Sequence, residues 1–332
     1  MAGRRTNLAL LALLPLAVLT GAGTFLVGGG GVRLVVVAHG VVGMALIVLV
    51  PWKSTIARRG ARRARPGRWM SMVLAFAVVV ALLTGLAHST GLLVAAFGIS
   101  ALQVHVGAAL LALVPAVAHV RRRRIRPRTT DLSRRAVARG GLLVLAAGAL
   151  YAGAEGAATV LRLPGARRRA TGSYETASGN PPAMPTTSWL LDRVPDLPAQ
   201  TWRVTVRTAG ASTSWSLADL AGQDDRVTAV LDCTGGWWAE QTWQGVRVSR
   251  LLPDGATGSV LVTSATGYSR RLPLTDDLLL AVAVGGAPLS PGHGAPARLV
   301  VPGRRGFHWV KWVVDIEHDQ RPWWWEPPVP LQ

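Results

Sequence analysis

The sequence predicts two structural classes in one chain: an all-α transmembrane bundle of five spans, followed by an α+β, mainly β, domain. Three observations carry this expectation. Residues 1–160 hold nineteen Lys and Arg against two acidic residues, Asp131 and Glu155, whereas the remainder is nearly balanced at seventeen basic and fifteen acidic. Most of the formal charge of +19 therefore belongs to the first half (19 − 2 = +17). That charge stands in short runs between long apolar segments, which excludes a nucleic-acid binder with a soluble basic face and points to a bilayer. Beyond residue 160, period-2 apolar stretches alternate with Gly and Pro, the pattern of short strands and turns.

Five segments approach or exceed the roughly 20 apolar residues a bilayer requires. They are Leu8–Val27, Val32–Val50, Trp69–Ala87, Phe97–Val120 and Gly140–Leu161. Lys53–Arg68 carries seven basic residues, and Arg121–Arg139 carries nine with only Asp131 against them. The opposite loops, Gly28–Gly31 and His88–Ala96, are uncharged. The positive-inside rule then puts the N-terminus and both basic loops in the cytoplasm and the C-terminal domain outside a bacterial cytoplasmic membrane. Ser133-Arg134-Arg135-Ala136-Val137-Ala138-Arg139, directly before the fifth span, resembles a twin-arginine export motif. The expected division is 1–161 membrane domain, 162–186 linker and 187–332 external domain.

Ionisable residues inside a membrane are functional hypotheses by default. His39 lies 14 residues before Lys53 and His105 lies 16 before Arg121, so at about 1.5 Å per residue both sit roughly 21–24 Å above the inner boundary. Two imidazoles at matched depth suit a b-type haem. Histidines hydrogen-bonded between helices are the alternative. His88 falls at the outer boundary and His119 at the inner one.

In the exported half, strands are expected at Trp202–Val206, in the run ending at Cys233, and at Ser259–Thr263, Arg298–Val301 and Trp309–Ile316. Cys233 is the chain's single cysteine and stands where the apolar alternation of Val227, Ala229 and Leu231 breaks at Thr234-Gly235-Gly236. A strand end before a glycine turn presents a thiolate well, and a thiolate outside the cell is protected when a soft metal holds it. Zinc lacks further ligands here. A cysteine hydrolase needs a histidine base, for which His293, His308 and His318 are candidates. A small buried hydrophobe is the plain alternative. The segment from His293 through Arg298, Arg304, Arg305, Gly306, Phe307 and His308 to Lys311 gathers cations among glycines and strand ends, as a phosphate-bearing ligand requires.

The string H-G-A-P-A-R-L-V-V-P-G-R-R-G-F-H-W-V-K-W resembles the molybdopterin-binding segment of the sulfite oxidase superfamily. L-D-C-T-G-G-W-W is similar to that superfamily's cysteine segment, and Thr266-Gly267-Tyr268 fits in order. The resemblance covers about residues 170–325 and implies a molybdopterin cofactor with Cys233 as the protein ligand to molybdenum. It further implies that Thr234, His293, Arg298, Arg304, Arg305, Gly306, Phe307, His308 and Lys311 hold that cofactor. Ser173 and Tyr174 resemble a cofactor-contacting segment of the methionine-sulfoxide reductase branch. Sulfite oxidases proper follow the cysteine with an arginine-bearing run, whereas this chain has Thr234, Gly235, Gly236, Trp237 and Trp238. The resemblance therefore implies oxygen-atom transfer on a small-molecule or methionine-sulfoxide-like substrate rather than on sulfite. Electrons would be exchanged with the quinone pool or another carrier. A membrane-anchored envelope binding module that kept the fold and lost the metal is the alternative.

Overall fold

The computed structural model describes residues 3–27, 31–61, 68–96, 99–122, 125, 127–188 and 192–327. The chain divides into two compact units whose main boundary falls between Tyr174 and Glu175.

The first unit is helical. Its long helices are α1 (Gly3–Leu26), α2 (Val32–Ala61), α3 (Arg68–Thr90), α4 (Ala101–Arg122) and α5 (Arg134–Val160). Each is long and apolar enough to cross a bilayer. Helices satisfy every backbone group internally, and large apolar side chains such as Leu19, Leu34, Val114 and Leu145 face outward, as a lipid solvent permits. The helices run a few residues beyond the expected spans at several ends, because the flanking basic residues are good helix formers. Positions 97 and 98 of the fourth expected span lie outside the described residues. Asp131 is held by Arg4 through Nε–Oδ1 and Nη2–Oδ2 bonds of 3.0 and 2.7 Å.

The expected linker 162–186 is shared between the units. Residues up to Tyr174 fold with the helices: Arg168 pairs with Glu155 of α5 and donates to Ser89 O at 2.7 Å. Its charge and its hydrogen bonds together anchor a stretch whose Gly and Pro content alone reads as loop.

The second unit holds β1 (Arg203–Thr208), β2 (Ala211–Ser216), a short α6 (Leu217–Ala221), β3 (Asp225–Asp232), β4 (Trp237–Arg247), β5 (Ser259–Ser264), β6 (Ser269–Pro273), β7 (Leu279–Val284), β8 (Arg298–Val300) and β9 (Val313–Asp319). One sheet pairs β3, β4, β7 and β8 antiparallel. The other has the order β2-β1-β9-β5-β6, with β1 and β9 parallel. Alternation along β1 buries Val204 and Val206, and Val260, Val262 and Ile316 join them in a core shared with Leu279, Leu280, Leu299 and Trp243. Five strands fall close to where they are expected. Trp309–Trp312 do not extend β9: Trp312 has φ +53, and this break turns the indole inward, where it is 1 % exposed. β4, the longest strand, is unexpected from sequence because its alternation is interrupted by Gln241 and Gly245.

Ile316 is fully buried in β9 and far in sequence from the cysteine turn. Ile316→Ala should destabilise the β unit by about 2–5 kcal/mol. A denaturant titration followed by tryptophan fluorescence reads this as a lower midpoint, since eleven of the thirteen tryptophans (all but Trp52 and Trp69) follow residue 160.

Candidate active site

Strand β3 ends at Asp232 and delivers Cys233 into a tight turn closed by Cys233 N–H to Trp237 O at 2.9 Å and Gly236 N–H to Cys233 O at 3.1 Å. The thiol is 8 % exposed, and Gly235 N–H donates to Sγ at 3.3 Å. Burial pushes the Cys233 thiol up, while the Gly235 amide, the Thr187 hydroxyl and the charges of Arg305 and Lys311 oppose that rise. The segment after β8 reaches this turn through a parallel bridge between Asp232 and Arg305. Gly306 makes the approach possible, because a Cβ there would lie 3.2 Å from Cys233 Cα. Arg305 Nη1 forms a buried ion pair with Asp232 and thereby locks the two segments together.

Cys233 opens onto a cavity of about 680 Å³, solvent mouth included. Thr234, His293, Arg298, Gly306, Phe307 and Lys311, all expected as cofactor residues, line it as well. Arg298 is 2 % exposed, with its guanidinium 5.0 Å from the Trp243 ring and 5.6 Å from the Trp309 ring. It donates to His293 O at 3.1 Å, and its Nε is buried with no partner among the described residues. Burial lowers its pKa to about 10. Lys311 Nζ donates to Gly292 O and Thr187 O at 2.6 and 2.9 Å, and burial foremost, then Arg298, lowers it to about 7. Two cations thus face one cavity, and neither has a carboxylate ion-pair partner among the described residues. Leaving them so is costly, and an anionic ligand removes that cost. The donor set of one cysteine sulfur and two cations fits a phosphate-bearing molybdenum cofactor. Among the described residues no group of three or more His, Cys, Asp or Glu offers a metal site built from protein ligands alone.

The other expected residues have different work. His293 has both ring nitrogens engaged, Nε2 with Met184 O at 3.0 Å and Nδ1 with Ser290 Oγ at 2.7 Å, so it presents ring carbon to the cavity. Arg304 stacks over Trp323 at 4.9 Å, and His308 packs on Phe307 at 4.2 Å with its pKa lowered by burial to about 3; neither lines the cavity. Ser173 and Tyr174 lie outside the cavity lining, and Tyr174 begins a short strand, Tyr174–Glu175. The Tyr174 hydroxyl donates to His88 O, and Ser173 O accepts from Arg169 N–H at 2.9 Å. A hydrolase reading of Cys233 finds no base here: His293 is committed, and His318 sits on Thr257 O at 2.8 Å.

Thr187, Asp192, Trp237 and Tyr268 also line the cavity. Asp192 is raised by burial, opposed by its hydrogen bond with Thr266 and by Lys311. Thr187 and Asp192 carry no sequence signal, since they reach the cavity from a Pro- and Ser-containing stretch without period.

In the helical unit, His39 and His105 meet with ring centroids 5.8 Å apart and planes at 84°. His105 Nδ1–H donates to Ala81 O at 2.7 Å. His39 Nδ1 lies 3.1 Å from Thr20 Oγ1, whose own proton goes to Leu16 O at 2.7 Å, so His39 Nδ1 is the donor. Each Nε2 then carries a lone pair, the form in which an imidazole ligates a metal. A Cβ at Gly21 would stand 3.1 Å from His39 Cε1, and one at Gly85 2.9 Å from His105 Nδ1. His39 and His105 thus each pack against a helix glycine, Gly21 of α1 and Gly85 of α3.

Residues 192–324 match the family described as oxidoreductase molybdopterin binding domain. This part of the chain is similar to a molybdopterin-binding domain of the sulfite oxidase type. The chain is 34% identical over 107 residues to the uncharacterized oxidoreductase YuiH of Bacillus subtilis, covering 29% of this chain and 54% of that one. It is 30% identical over 161 residues to human mitochondrial sulfite oxidase, covering 36% and 29%. It also aligns with the sulfane dehydrogenase SoxCD of Paracoccus pantotrophus at 25% identity and a TM-score of 0.36, over 39% and 40% of the two chains. The chain thus spans about half or less of the proteins it resembles.

Arg298→Met removes a buried charge at similar volume. It should lower bound molybdenum by roughly tenfold or more while raising the unfolding midpoint of the metal-free protein, measured by elemental analysis and thermal melting.

Proposed function

We propose that the chain is a membrane-anchored molybdenum oxidoreductase that performs oxygen-atom transfer on the outer face of a bacterial cytoplasmic membrane. The observation that carries this reading is the convergence of Cys233, Arg298 and Lys311 on one cavity of a sulfite-oxidase-type domain. Cys233 ligates the metal, and Arg298 and Lys311 neutralise the cofactor's anionic groups. Bound molybdenum supplies the oxygen-atom transfer. The five apolar helices anchor the domain, and the motif Ser133–Arg139, with Arg134 and Arg135 exposed at the start of α5, supports export.

The substrate is a neutral sulfoxide rather than sulfite. With Arg298 and Lys311 committed to the cofactor, the charge left on the cavity wall is the Asp192 carboxylate, which repels an oxyanion. Trp237, Tyr268, Phe307 and Trp309 offer aromatic surface to the carbon and sulfur of a methionine-sulfoxide-like group. Its reduction takes two electrons and two protons and yields the thioether and water. His39 and His105, with their Nδ1 atoms donating, would offer Nε2 to a haem b, which would carry electrons from the quinone pool or another carrier.

Cys233→Ala should reduce turnover of a sulfoxide with a reduced viologen donor to background while leaving the protein in the membrane; undiminished turnover contradicts the ligand assignment. Asp192→Arg should shift the ratio of sulfite to sulfoxide kcat/KM toward sulfite by roughly tenfold or more. Separately, His39→Ala or His105→Ala should abolish a Soret band of the wild-type protein, and a wild-type spectrum without that band removes the haem.

A further inference from the structure

The β unit encloses its large apolar side chains except at one place. Trp202, Trp243, Trp309 and Trp312 are buried, whereas Trp324 and Trp325 are 65 and 67 % exposed and Trp323 is 40 % exposed. Among the described residues of this unit, Val194 is the other large apolar side chain left exposed. The three tryptophans form a single 3₁₀ turn with fixed supports. Arg304 lies 4.9 Å from the Trp323 ring, and Trp324 and Trp325 meet edge to face at 6.1 Å. Glu326, next in the chain, accepts Arg271 N–H at 2.6 Å and pairs with the buried Arg270 at 3.3 Å. A turn held in this way keeps two indoles in water, which is unfavourable until another surface covers them.

Trp325 also borders an open groove of about 590 Å³, solvent mouth included, together with Ser269, Arg271, Arg321 and Glu326. Arg271 is committed to Asp319 at 2.6 Å and to Ser259 Oγ at 2.9 Å. The Arg321 side chain is 65 % exposed and meets Asp319 at 3.5 Å. Arg270, Arg271, Arg304 and Arg321 stand here against Asp319 and Glu326, which leaves a positive surplus beside the exposed indoles.

We propose that the Trp323–Trp325 turn and the groove at Arg321 form a docking surface for an anionic phospholipid bilayer, the membrane in which the five helices are anchored. This rests on the membrane-anchored reading above. Indoles suit that medium, because the ring enters the acyl boundary while its N–H stays at headgroup level. Arg321 then meets lipid phosphate, which a guanidinium binds with paired N–H donors. A protein partner is the other occupant such a patch admits. The positive surplus and the covalent tie to apolar helices favour lipid, since a tethered unit meets its own bilayer at high effective concentration.

The test uses full-length protein in vesicles of phosphatidylcholine and phosphatidylglycerol, made with or without brominated acyl chains, which quench tryptophan on contact. The emission of a tryptophan pair is the difference between wild type and the variant lacking that pair. Brominated lipid should quench the share lost in Trp324→Phe/Trp325→Phe, and Arg321→Glu should reduce that quenching. The share lost in Trp52→Phe/Trp69→Phe belongs to α2 and α3 and reports insertion of the helices in the same vesicles. Quenching of the Trp52 and Trp69 share with none of the Trp324 and Trp325 share overturns the docking surface and leaves the anchor intact. Quenching of neither share overturns the anchored reading and this inference together. Undiminished quenching in Arg321→Glu overturns the headgroup contact assigned to the groove.

Discussion

A buried positive charge without its own carboxylate is the constraint on which the β unit turns. Arg298 is buried beside the Trp243 and Trp309 rings, 5.0 and 5.6 Å from its guanidinium, and donates to the His293 carbonyl. A domain of this size has a net stability of only about 5–15 kcal/mol, so an uncompensated buried guanidinium is a large fraction of it. The surrounding architecture makes sense as a socket for an anion. β8 presents Arg298 and the loop before β9 presents Lys311. The Arg305–Asp232 pair draws the same loop onto the cysteine turn, so that the two cations and the Cys233 sulfur share one cavity.

Division of labour among the cations follows from burial and partners. Arg305 already has a carboxylate and works as a clasp; Arg304 stays on the aromatic Trp323 face. Arg298 and Lys311 lack such partners among the described residues and face the cavity. Runs of cations look alike in sequence until their counter-charges are located in space.

Much of this was legible beforehand. Periodicity located β3 and the break after it that carries Cys233, and apolar run length located the five long helices. Strands such as β4 escaped because a central strand with Gly245 and Gln241 does not alternate cleanly, and the run at Trp309–Trp312 misled because a positive φ at Trp312 is a tertiary choice. Tyr174 is tied to the helical unit by a hydrogen bond to His88 O that no local pattern announces. Thr187 and Asp192 reach the cavity from loops, where only the folded chain decides position. In the helical unit the matched depth of His39 and His105 was legible from residue counting, and their rings meet with centroids 5.8 Å apart.

The account stands on one claim, that the cavity at Cys233 holds a molybdenum cofactor. The most direct measurement is the molybdenum content of the purified full-length protein, produced in a host that loads such enzymes. The account predicts close to one molybdenum per chain. A preparation that is folded and carries none would contradict it and turn the cavity into the anion pocket of a binding module.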